Sequence, residues 1–242
     1  MTENSSLFAL WPYVATALLI TGILIRYLLV SRQPSVLAAE VADAKSVFGG
    51  RLFRVSMAVL IAGHLAGLVF PHAVLSLSTS ARGLYVLEGL AFIAGSAGVA
   101  SSAVMIWRRL ERSSQSRVTE LSDMLFLGLF FTVLASGLLV AVLYRWGSLW
   151  GEVTLVPYMI SLLRGQPAVQ LATQLPALVQ LHVLATFAAI AVLPLTRLST
   201  FLVAVLQRCA MLITQQLRAA SNAFAEWSNR HNPGSWFWPD ED

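Results

Sequence analysis

Two histidines sit where histidines are costly. His64 lies in "LFRVSMAVLIAGHLAGLVFPH" and His182 in "LVQLHVLATFAAIAVLPLTRL", runs long and apolar enough to cross a bilayer. An ionisable side chain inside such a run is expensive and points to a functional role. Their depths agree. His64 is 10 residues past Arg54, and His182 is 15 residues before Arg197. At about 1.5 Å per residue, the imidazoles lie about 15 and 22 Å from the same membrane edge. On helices of opposite direction, the two rings can face each other across a bundle. Facing imidazoles can take the axial positions of a haem iron, and helix-bundle cores are where such sites are built. Gly63 and Gly67 flank His64 and leave room for a macrocycle. The same glycines also suit plain close packing of helices. A hydrogen-bonded contact between helices, a proton relay and a metal-transport site are the other readings of the pair. A relay wants a chain of intramembrane carboxylates, and only Glu88 and Asp123 come near, both at span ends.

The other candidates are less specific. His72, in "FPH", either ends a helix at headgroup depth or contacts a quinone or a haem propionate. Glu88 reads from its position as a headgroup-level carboxylate, and Arg82 is the basic residue in the outer loop after the His64 run. His231 lies in a polar tail and is expected to be solvated. Cys209 is the single cysteine and is expected to be inert; it excludes an internal disulfide and a Cys-ligated iron–sulfur cluster.

Spans of an all-α integral membrane protein must position these residues. The chain is 57% hydrophobic and 12% charged, against about 25% charged in soluble domains. Five transmembrane helices are expected over 8–30, 53–72, 84–107, 122–143 and 176–196, with the last continuing as helix into the next 30 residues. "MTENSS" lacks a basic n-region, so no cleavable leader is expected. Of the 16 Lys and Arg residues, 13 fall on one side, including Arg26, Arg54, Arg109 and Arg197; Arg82, Arg145 and Arg164 fall on the other. The positive-inside rule then puts the N-terminus outside and the C-terminus in the cytoplasm of a cytoplasmic (inner) membrane crossed several times. Basic residues gathered between spans do not suggest nucleic acid. "VTLVPYMISLL" in the outer loop is expected to be a short interfacial helix, stopped at "RGQP". Residues 198–242 are read as a cytoplasmic extension. There Ile213, Leu217, Ala220, Phe224 and Trp227 make an apolar stripe, followed by "NPGSWFWPDED". It lies on the membrane surface or docks a cytoplasmic partner.

The combination of "LWPYVAT", "FIAGSAGV" and the two histidine runs resembles the gamma subunit of respiratory nitrate reductase, a membrane cytochrome b. The likeness covers nearly the whole chain and is strongest in spans 2 and 5. It implies a quinol-oxidising five-helix subunit that normally carries two haems, each held by one histidine from span 2 and one from span 5. His64 and His182 match the outer pair. At the inner pair the resemblance fails: Arg54 stands at one position, and "LSTFL", around Thr200, at the other. One haem b is therefore expected, unless a residue such as Met57 replaces the missing ligands. The resemblance also implies an iron–sulfur subunit and a molybdenum-cofactor catalytic subunit as partners, with quinone or quinol as substrate. It implies a quinone site beside the outer haem, with a basic residue from the outer loop after span 2; Arg82 is the basic residue there, Glu88 could accept a quinol proton as general base, and Gly63 and His72 complete the candidate set. Reverse flow from a nitrite- or sulfur-compound-oxidising complex into quinone is the alternative. A haem-bearing anchor without quinone chemistry and a transporter are the readings from other classes. Fold-level likeness does not choose the terminal substrate.

Overall fold

A computed structural model describes residues 3–30, 38, 41–42, 50–111, 117–144 and 151–230. The aromatic tail and His231 lie outside the described residues. Among the described residues there is no strand. The chain runs through α1 (Glu3–Val30), α2 (Arg51–Val69), α3 (Pro71–Ser78), α4 (Ala81–Glu111) and α5 (Arg117–Leu143). A π-helical turn (Gly151–Leu155) leads to α6 (Val156–Leu163), α7 (Val169–Thr173) and α8 (Ala177–Val192). A 3-10 turn (Leu193–Leu195) then precedes α9 (Ser199–Arg230).

Six of these helices are long and apolar enough to cross a membrane: α1, α2, α4, α5, α8 with its 3-10 turn, and α9. Five were expected. The first five have mean hydropathies of 1.7–2.5, whereas α9 reaches only 1.2. Large exposed side chains such as Leu18, Leu24, Ile61, Ile93 and Leu139 stud the long helices, a surface suited to lipid rather than water. The protein is a multi-pass membrane protein. In α9, Leu206, Ile213, Leu217, Phe224 and Trp227 are exposed along one stripe, as the periodicity predicts.

Boundaries differ from expectation where proline acts. The His64 helix ends at Val69 rather than 72, because Pro71 lacks an amide proton and starts a separate short helix. His72 therefore begins α3 instead of closing span 2. The expected continuous helix through 176–230 is also corrected. Pro194 sits in the 3-10 turn and Thr196 is extended (φ −101°, ψ 162°), so α8 and α9 are separate. The outer-loop helix appears as α6, stopped by Gly165 at φ 72°, a conformation glycine adopts without steric cost.

The long helices pack in the order α1, α8, α5, α4, α2. Small residues set these contacts. Ala94, Gly95, Gly98 and Ser102 are buried along one face of α4, where Leu134 and Leu138 of α5 pack against the glycines. The short helices α3, α6 and α7 and the π-helical turn gather at one end, called here the cap end. Tyr158 of α6 donates to Phe8 O (2.7 Å) and Tyr13 of α1 donates to Leu162 O (2.8 Å), so α1 and α6 are tied twice.

At the opposite, α9 end, buried polar groups fix the chain break. Arg26 donates to Thr196 O, Ser199 Oγ and Thr200 Oγ1, each at 2.9 Å. Gly22 lets the Pro194 ring press against α1, where any Cβ would collide with it. Asp123, fully buried, accepts from Arg109 Nη2 (2.8 Å) and from the Arg197 amide (3.0 Å). A carboxylate between two guanidinium-bearing residues is a buried charge with partners on both sides.

Candidate intramembrane histidine site

α2 and α8 do not pack closely against each other. The two imidazoles bridge the space between them. The ring centroids of His64 and His182 are 6.3 Å apart, with planes inclined by 30°. Depths of about 15 and 22 Å from one membrane edge allow the two rings to face each other, and they do.

Each ring is oriented through Nδ1. His64 Nδ1 lies 2.7 Å from Leu60 O, one turn back on its own helix. His182 Nδ1 lies 3.0 Å from Val133 O and 3.2 Å from Ser136 Oγ, both on α5. A carbonyl oxygen only accepts, so Nδ1 carries the proton in each neutral ring. The Nε2 lone pairs are then free to bind a metal.

The spacing suits one ion between the rings. Two metal–imidazole bonds of about 2.0–2.1 Å, each extended by about 1.1 Å from nitrogen to ring centre, separate the centroids by about 6 Å. Among the described residues there is no group of three or more His, Cys, Asp or Glu that could hold a metal. The pair therefore offers two imidazole donors rather than a closed tetrahedral set. Around it there is room. His64 is exposed, and a Cβ at Gly63 would meet nothing within 4 Å. Gly67 is half-buried.

The α9-end half is filled instead. Phe53, Phe126, Leu127 and Ala189 are buried there, with Met57, Phe130 and Leu193 against them. Phe53 and Phe130 meet edge to face at 5.9 Å, and Phe126 and Phe130 stack at 5.4 Å. Met57, the suggested substitute ligand, packs in this cluster with its Cε against Gly98. Of the two positions matching the absent inner ligands, Arg54 is exposed and Thr200 is buried, accepting from Arg26.

The quinone candidates lie toward the cap end. His72 is exposed in α3, Arg82 is exposed at the start of α4, and Glu88 is half-buried two turns further on. His64 is five residues and Glu88 seven residues from the cap-end termini of their helices. These correspond to depths of about 8 and 10 Å, so the carboxylate and the imidazole sit at one level on the adjacent α2 and α4.

Sequence reasoning passed over Ser136 and Gly137. Their signal was present: "LASGLL" puts a hydroxyl and a missing side chain together in mid-span. A Cβ at Gly137 would come 2.9 Å from His182 Cε1. The ring occupies the place a side chain would take.

A family model described as nitrate reductase gamma subunit matches residues 4–218 of this chain. No curated protein matches it.

Proposed function

The chain belongs to the nitrate reductase gamma subunit family, and from that membership together with the histidine geometry we propose that it is a one-haem membrane cytochrome b. It links the quinone pool to a nitrate-reductase-type oxidoreductase in the cytoplasmic membrane, with its C-terminus inside. Its partners are an iron–sulfur subunit and a molybdenum-cofactor subunit, where the substrate chemistry takes place. The observation that carries this proposal is the facing of His64 and His182 at 6.3 Å between α2 and α8.

His64 and His182 would hold a haem b through Nε2, each with Nδ1–H committed to a backbone carbonyl. That second hydrogen bond fixes the tautomer and raises ligand basicity. When bound, the haem supplies one-electron transfer. Everything else is the task of the chain's own side chains. Quinol binds at the cap end, where Glu88 can accept a hydroxyl proton as general base. His72 and Arg82 flank the approach from the membrane edge and can hydrogen-bond a quinone oxygen. A quinol oxidised there releases its protons on the outer side.

A single haem is supported by the other half of the bundle. The phenylalanine cluster is packed there, and Thr200, which would have to be a histidine, binds Arg26 instead. The test is a pyridine haemochrome assay on the purified chain or complex. One haem b per chain is the expected result. No haem overturns the reading, and two would mean that the α9-end half reopens around ligands other than histidine.

A further inference from the structure

The two imidazoles are not held alike. His64 is oriented by its own helix and is exposed. His182 is half-buried and is oriented by a neighbouring helix, through three consecutive contacts on one turn of α5. Val133 O takes the Nδ1 proton at 3.0 Å. Ser136 Oγ stands 3.2 Å from the same nitrogen. Gly137 lies against the ring edge at Cε1.

We propose that Val133, Ser136 and Gly137 form a shelf that sets the orientation and basicity of His182, with Ser136 and Gly137 acting as positioning residues for an iron ligand. The proposal rests on the haem reading above. Ser136 has one proton, and its oxygen lies 2.6 Å from Thr132 O and 3.0 Å from Val133 O, so the proton goes to a carbonyl. The oxygen's lone pairs are then left to accept from His182 Nδ1–H. Two acceptors on one N–H draw the proton away and make the opposite nitrogen a stronger donor to a metal. A more basic ligand favours oxidised iron. Ser136 therefore holds the midpoint potential down. Gly137 acts by vacancy. An added methyl would not break the helix, but it would push the ring off the line toward His64.

The pair is consequently unequal. His182 is the preorganised ligand and His64 the adaptable one. Losing His64 should leave a five-coordinate, high-spin haem on His182, whereas losing His182 should leave none.

The test uses the full-length chain purified with haem, as S136A, S136T and G137A. Haem content, midpoint potential and the low-spin EPR signature are read for each, with circular dichroism as the check on folding. S136A is expected to keep its haem with a raised midpoint, and S136T to return the midpoint toward wild type. G137A is expected to fold normally but to hold several-fold less haem. Ser136→Gly removes the same oxygen, so it gives the same readout if S136A does not fold. A serine-less variant with the wild-type midpoint and EPR signature overturns the shelf. So does G137A with full haem and an unaltered signature. Both outcomes leave the haem reading standing; a wild-type chain without haem overturns the two together.

Discussion

Arg26 and Thr200 are 174 positions apart and joined by a 2.9 Å hydrogen bond. The bond ties α1 to the start of α9 across the helix break at Pro194. The same guanidinium also reaches Thr196 O and Ser199 Oγ. It therefore satisfies the polar groups that an interrupted helix exposes in an apolar setting, where each unpaired group costs several kcal/mol.

Thr200→Val should remove one charge-assisted bond and cost about 1.5–3 kcal/mol. Arg26→Met should cost more, because it removes three charge-assisted bonds at once. Thermal unfolding of both variants in one detergent checks the order. Equal melting temperatures for T200V and R26M would count against a shared network.

His64→Ala and His182→Ala should each abolish the low-spin haem spectrum, whereas His72→Ala should leave it nearly unchanged. Only the first two side chains meet across the bundle; His72 is exposed in α3. Absorption and EPR spectra of the three variants decide this. Thr200→His, alone or with Arg54→His, should not add a second haem while the phenylalanine cluster stays in place.

Asp123 is fully buried between Arg109 and Arg197. Asp123→Ala leaves two guanidinium groups facing a vacated site and should cost about 3–5 kcal/mol. Exchanging all three for apolar residues of similar volume should be far milder than the single change. If D123A unfolded at the wild-type temperature, the carboxylate would hold no structural charge.

Tyr158 anchors the cap. Burial, with a further contribution from Tyr13, pushes its hydroxyl up to about pH 12 from the usual 10.0. A group whose folded value is raised stabilises fully below the unfolded value and loses that contribution as pH rises through the folded one. The α1–α6 tie should thus be intact below pH 10 and be lost toward pH 12. Tyr158→Phe should remove the steepening of alkaline unfolding and cost about 1 kcal/mol at neutral pH. Unfolding midpoints measured across pH 8–12 test both statements.

Much of this protein is written in local pattern. Apolar length alone located the five strongly hydrophobic helices, because a bilayer-spanning run must exclude charge over about 20 residues. Helical periodicity alone placed an apolar stripe on α9. That His64 and His182 could face each other follows from counting residues to basic end markers, since helix rise is constant. Proline effects are less legible: Pro71 ends α2 within an apolar run that continues into α3, and the turn at Pro194 separates α8 from α9.

What only the tertiary structure decided is which side chains meet. Nothing in the sequence order says that α8 lies between α1 and α5, or that α2 stands off from α8. That order chooses Val133, Ser136 and Gly137 as neighbours of His182, although 45 or more positions separate them from it. It also delivers Arg26 to Thr200 and closes the α9-end half with phenylalanine. Hydropathy and spacing are properties of a single helix. Ring orientation, tautomer and room for a ligand are properties of the gap between helices, and that gap exists only once the bundle has packed.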